Sequence, residues 1–176
     1  MPPDSSDRPR RDSQRAMVYD GEQLVRGVFD RADEFGHRTI DVYGSQLTLP
    51  VERRFASVAS VQSYADKVLA LNWVRARWER ASVPIRVRAR GGAGAAHYEP
   101  ATAVLAVPLH TGSTAWALRE LVVLHELAHH LAPDPGQPPH GPEFCTRYAE
   151  LVDGVIGPEA ALLVRATLTG CGVRFG

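Results

Sequence analysis

The chain has 176 residues, 44% of them hydrophobic, and its 20 basic and 20 acidic side chains leave no formal net charge. Such a length and composition suit one domain that buries its own core without staples, and no uninterrupted apolar run approaches membrane-spanning length, which excludes a membrane-spanning helix. The neutral balance gives no support to a general affinity for polyanions.

Residues 1–16, MPPDSSDRPRRDSQRA, are polar and nearly devoid of apolar side chains. Burial there cannot offset the entropy of ordering, so a disordered tail is expected ahead of a single domain over residues 17–176. Arg10 and Arg11 are adjacent but no apolar stretch follows them, so neither a general secretory nor a twin-arginine export signal is present, and the cytoplasm is the expected compartment. Two cysteines without CxxC spacing, Cys145 and Cys171, agree with a reducing compartment and inert thiols.

From Tyr19 to Phe35, the spacing of Leu24, Val25, Val28 and Phe29 predicts a helix, with Asp20 and Gln23 as a weak capping pair. Thr39–Tyr43 and Gln46–Leu49 read as two strands of a hairpin around Gly44 and Ser45, so that residues 17–50 form an N-terminal helix-and-hairpin extension of the core. Ser57 to Arg80 carries Val58, Val61, Tyr64, Ala65, Val68, Leu71, Val74 and Trp78 at three-four spacing and predicts one long helix. Ile85–Arg90 then alternates apolar residues with Arg86, Arg88 and Arg90, the pattern of a strand with one buried face. Residues 75–90 hold six arginines against one glutamate. A nucleic-acid surface is one reading of that cluster, and a solvated strand face balanced by acids elsewhere is favoured over it. Ala95–Tyr98 and Ala103–Val107 complete the strands.

The chemistry is concentrated in LVVLHELAHHLAPDPGQPPHGPEF, residues 121–144. Trp116 to Leu131 has neither Gly nor Pro, Ser113 or Thr114 offers an N-cap, and Pro133 is the stop, so the segment predicts a helix. On a helix of about 3.6 residues per turn, His125 and His129 project from one face, while Glu126 is rotated by about 100°. Two imidazoles so placed are ligands for a zinc ion, and Glu126 is placed to act as general base on a water rather than to bind the metal. His130 points away from this face and is not expected to be a ligand. A catalytic zinc takes a third protein ligand, and the proline-rich loop returns His140 towards the site before Gly141 and Pro142 open a helix from Glu143 towards Val152. His140 is favoured by ligand preference, with Asp134, Glu143 and Glu150 as oxygen-donor alternatives. Candidate oxyanion donors are His97, Tyr98, His110 and Tyr148. Gly157–Thr169 predicts a final amphipathic helix.

HELAH followed by HGPEF resembles the SprT and Spartan-like zincin metallopeptidases, in which a short loop separates HExxH from an HGxxF-type segment carrying the third ligand. The same signature is found in a group of actinobacterial metallohydrolases. The resemblance covers about twenty residues, and the order of helix, strands, metal helix and closing helices agrees with it. It implies an α+β fold with a small zincin-like core, a mixed or antiparallel sheet and a metal-binding helix. It further implies His125, His129 and His140 as ligands of one zinc ion per chain, Glu126 as the base, and a protein or peptide substrate lying along Ala103–Val107 as the sheet edge. The zinc ribbon of many SprT-like proteins is absent, and a metzincin is excluded because Ala132 and Pro135 stand where its motif needs Gly and His. The expected function is zinc-dependent amide hydrolysis. Hydrolysis of a small amide or ester, and a binding protein with a structural zinc on the same scaffold, are the alternatives.

Overall fold

Val18, Glu22, Val25, Phe29 and Ala32 are the buried stripe of a helix, α1, that runs over Arg15–Phe35 in the computed structural model of the chain. The structure describes residues 11–92, 94–108, 118–133 and 136–176. The helix begins ahead of the expected Tyr19, and its N-cap position is held by Gln14, not by Asp20. The Gln14 side chain donates instead to the carbonyls of His140 and Arg174 and is buried there. Asp12 accepts hydrogen bonds from His140. The last residues of the stretch expected to form a disordered tail therefore belong to the fold, because their polar groups find distant partners that composition cannot reveal. Residues 1–10 lie outside the described residues.

Gly36 ends α1 at φ 63°, in the left-handed region where a residue without Cβ fits without strain. A hairpin of β1 (Thr39–Val42) and β2 (Ser45–Thr48) follows, with Ile40 opposite Leu47. Its turn is Tyr43-Gly44, both at positive φ, one residue earlier than the spacing suggested. Two left-handed residues in succession match the twist of the flanking strands.

The single helix expected over residues 57–80 is three pieces: α2 (Val58–Leu69), α3 (Asn72–Arg77) and a 3-10 turn at Glu79–Ser82. Ser57 and Ser60 cap α2 reciprocally. The break falls at Leu71, whose backbone is extended, with no Gly or Pro to mark it. Packing accounts for it. Trp73 lies across Gly154, where a Cβ would fall 2.4 Å from the indole, and meets Trp78 edge-on at 5.8 Å. Helix propensity over these residues is a weak preference that such contacts override.

β3 (Arg86–Arg90), β4 (His97–Glu99) and β5 (Val104–Pro108) form a mixed sheet in the order β3-β5-β4, with β3 parallel and β4 antiparallel to β5. The expectation that Ala103–Val107 is the sheet edge is corrected here: β5 is central. All five of its residues are buried, which is how a strand covered on both faces reads. β4 is the strand that borders the site. Among the arginines of residues 75–90, Arg77 pairs with Glu150, Arg88 pairs with Glu99, and Arg75 and Arg90 donate to the carbonyls of Leu69 and Ala95. Among the described residues, no helix is long and apolar enough to cross a membrane. Both cysteines are free, and burial pushes the Cys145 thiol up to about 12.

The helix carrying HELAH, α4, spans Glu120–His130 and is buried along almost its whole length. It begins later than Trp116, and the proposed caps Ser113 and Thr114 lie outside the described residues. Its N-terminus is held from far away in the chain. Glu52 accepts from the backbone N–H of Leu121 at 3.1 Å and pairs with Arg119, at 2.5 Å to Nη2, both side chains being essentially inaccessible. The buried Glu120 carboxylate takes Tyr64 Oη at 2.6 Å and Arg53 Nη1 at 2.7 Å. Burial and this carboxylate push the Tyr64 phenol far above its ordinary range.

The C-terminal carbonyls are also accounted for. Leu127 is served by the N–H of Leu131 and His129 by that of Ala132, while Ala128 accepts from Arg147 Nε at 2.7 Å and His130 from Arg80 Nε at 2.7 Å. Helix ends leave such groups unpaired unless something else supplies the donors. Two closing helices, α5 (Pro142–Val155) and α6 (Pro158–Gly170), each with proline in the first turn, pack against α4, against each other and against α1.

Removing one partner of a buried ion pair strands the other charge, at a cost of about 3–5 kcal/mol. Glu52→Ala is therefore expected to lower unfolding free energy by about that amount in urea titration, and a loss within error of zero would show that the α4 N-terminus is held by other means.

Candidate metal centre

Packing of α4 against α5 fixes where the histidines meet. His125 and His129 sit one turn apart on α4, and the loop before Gly141 brings His140 against them from the head of α5. The Nε2 atom of His125 is 3.1 Å from that of His129 and 3.3 Å from that of His140. One nitrogen from each ring lies within 4.8 Å of the other two, a grouping that could hold a metal ion. Among the described residues no fourth ligand-type side chain joins this group. Of the oxygen-donor alternatives, Glu143 is exposed on the first turn of α5 and outside the cluster, Glu150 is engaged by Arg77, and Asp134 lies outside the described residues.

The outer nitrogens explain why the inner ones converge. His125 Nδ1 is 2.5 Å from Glu22 Oε1, and both side chains are about 95% buried. His140 Nδ1 is 2.8 Å from Asp12 Oδ2, and the other Asp12 oxygen accepts from the His140 backbone N–H at 3.1 Å. Each carboxylate takes the ring N–H on its own side, which leaves an Nε2 lone pair directed inward. Lone pairs facing one another at this range repel, and a cation between them removes the repulsion. The donor chemistry thus fits a metal ion.

Electrostatics follow the same layout. Burial opposes charge on His125, but the Glu22 carboxylate outweighs it and raises the ring's affinity for a proton. Burial and then His125 hold His129 far below the ordinary histidine range, and the same two causes lower His140. Burial raises the Glu126 carboxyl to about 7, against the opposing pull of His125 and of the Tyr98 N–H. That N–H, on β4, donates to Glu126 Oε2 at 2.9 Å and fixes the carboxylate beside the cluster.

His130 is used elsewhere: Nε2 donates to the Val83 carbonyl at 2.9 Å, so Nδ1 accepts from Tyr98 Oη at 2.9 Å. Tyr98 is thereby committed to the core. Tyr148 is buried behind Phe144, with the rings parallel to within 9°. His97 is exposed on β4, and His110 lies outside the described residues.

Rings enclose the cluster. Phe144 stacks on His129 at 4.4 Å and stands edge-on to His125 and His140. Tyr19 covers the other side, 5.7 Å from His125 and 5.1 Å from His140, 39% exposed, with Arg15 over its ring at 5.7 Å.

Sequence reasoning passed over Glu22, Asp12 and Tyr19. Glu22 had a signal, since it shares the helical stripe of Val18, Val25 and Phe29, and a carboxylate inside an apolar stripe needs a partner. Asp12 sits in a polar stretch and had none.

Compared with protein-family models, with curated proteins and with solved structures, the chain matches none.

Carboxylates behind metal-ligating histidines typically contribute 10–100-fold in metal affinity. Glu22→Ala and Asp12→Ala are each expected to weaken binding by about that factor in a zinc competition titration with a chromophoric chelator. Affinity equal to the parent's in both variants would remove α1 from the metal centre.

Proposed function

We propose that this chain is a zinc-dependent hydrolase that cleaves amide bonds, with a protein or peptide as substrate. One observation carries the reading: three imidazole nitrogens converge on one point beside a buried carboxylate, and no fourth ligand from the described residues closes the group. A structural zinc site is typically completed by a fourth protein ligand, whereas a catalytic one keeps a position open. Three imidazoles suit zinc among the common cations, and His125, His129 and His140 are the residues that would hold it. The resemblance of HELAH and HGPEF to SprT and Spartan-like zincins supports the same reading, as does the antiparallel outer strand beside the metal helix.

When bound, zinc supplies Lewis acidity and acidifies a coordinated water to a pKa of about 7. The protein's own part is proton handling and positioning. Glu126 has one oxygen fixed by Tyr98, and the other is left to accept the proton of the attacking water. As the water oxygen bonds to the acyl carbon and the C–N bond breaks, Glu126 returns that proton to the departing nitrogen. Tyr19, exposed beside two ligand rings, is placed to meet the incoming acyl group. Phe144 and Tyr148 keep water from the rear of the cluster.

Glu126→Gln tests the assignment, because it preserves shape and the Tyr98 hydrogen bond while abolishing proton acceptance. On a proteome-derived peptide library, the parent loaded with zinc is expected to give cleavage products. The variant is expected to keep its zinc and lose at least about 100-fold in rate. A variant as fast as the parent would eliminate Glu126 as the base, and a zinc-loaded parent that cleaves nothing would count against the peptidase reading.

A further inference from the structure

Beside the C-terminal end of α4, a cavity of about 420 Å³ opens between the 3-10 turn, the loop after Leu131 and α5. Its walls include Trp78, Leu131 and Pro133, and its polar lining includes Arg80, Arg147 and Glu143. Arg147 is the unusual member. It is only 7% exposed, its Nε is spent on the Ala128 carbonyl, and among the described residues no carboxylate lies within 4.0 Å of it. Among the same residues, no fully buried side-chain nitrogen or oxygen lacks a partner. The Nη groups of Arg147 have no hydrogen-bond partner among the described residues, so they keep some contact with solvent, and Arg147 lines the cavity. Arg80 stands beside it, held through Nε to the His130 carbonyl, with Nη2 3.4 Å from Tyr98 Oη.

A buried guanidinium without a counter-charge is costly, and its planar pair of Nη donors matches a carboxylate. Trp78, Leu131 and Pro133 add an apolar wall for the body of a ligand. Arg77 answers Glu150, and the exposed Glu79 and Glu143 also line the cavity.

We propose that this cavity is a binding site for a small monocarboxylate with an apolar body, its carboxylate held by Arg147. None of the three histidines of the metal centre lines this cavity, and the proposal does not depend on the reading of that centre.

The test follows the arginine side-chain resonances of the full-length, 15N-labelled chain during titration with benzoate, with phosphate and chloride at matched ionic strength as controls. Benzoate is expected to shift the Arg147 Nε–H signal saturably, with a Kd of about 1 mM or tighter, and the control anions are not. Arg147→Gln keeps a donor for the Ala128 carbonyl and removes the charge, and it is expected to weaken benzoate binding at least about tenfold. Thr146 lines the same cavity and is hydrogen-bonded to Gly176, and Thr146→Trp, which puts an indole there and retains Arg147, is expected to abolish the shift even if Arg147→Gln fails to fold. An Arg147 signal indifferent to benzoate, an equal response to phosphate or chloride, or benzoate binding that survives Thr146→Trp would each overturn the proposal. In the last case the ligand would be sitting at the metal centre instead.

Discussion

The Nε2 atoms of His129 and His140 lie 3.1 and 3.3 Å from that of His125, a crowding of buried imidazoles that needs support from outside, and much of this fold supplies it. A neutral histidine offers a lone pair on one nitrogen only if the other carries the proton and has somewhere to place it. Glu22 and Asp12 provide that place for His125 and His140. The N-terminal segment is thus a structural part of the centre: removing it would free two imidazoles to rotate or to change tautomer. A cation bound at the Nε2 atoms of His125 and His140 would favour the tautomers that Glu22 and Asp12 hold, so occupancy and the docking of the N-terminal segment would reinforce each other.

The same logic extends to the helix that bears HELAH. Its start is held by Glu52, its first carboxylate by Tyr64 and Arg53, and its last free carbonyls by Arg147 and Arg80. None of these partners is adjacent to it in sequence. α4 is therefore fixed in position and rotation by contacts drawn from the segment after the hairpin, from α2, from the 3-10 turn and from α5, and a rigid helix is what keeps ligands within the narrow tolerance a metal demands. The arginines that give residues 75–90 their charge belong to this work: Arg80 caps α4, Arg77 braces α5 through Glu150, and Arg88 ties β3 to Glu99 across the sheet.

The legible part of the sequence was local. HELAH on a helix and the return of His140 through a proline-rich loop followed from spacing and chain punctuation, as did the hairpin, the three strands and the closing helices. What local pattern could not convey was long-range compensation. Gln14 and Asp12 look like tail residues until His140 and Arg174 are placed beside them. The break at Leu71 has no local signal because it depends on Trp73 finding Gly154. β5 was expected at the edge, yet its unbroken apolar run is what a central strand shows, while the short β4 takes the edge and turns its Tyr98 N–H towards Glu126. At the start of α4, a carboxylate from Glu52, distant in sequence, accepts from the Leu121 N–H.

The most direct test of the metal centre is a crystal structure of the zinc-loaded chain with anomalous diffraction recorded on both sides of the zinc edge. The account predicts one anomalous peak per chain, about 2.0–2.1 Å from the Nε2 atoms of His125, His129 and His140, with Glu22 and Asp12 still on the outer nitrogens and no carboxylate in the inner sphere. A peak bound by Glu143 or Asp134 in place of His140, or no peak between the three histidines, would contradict it.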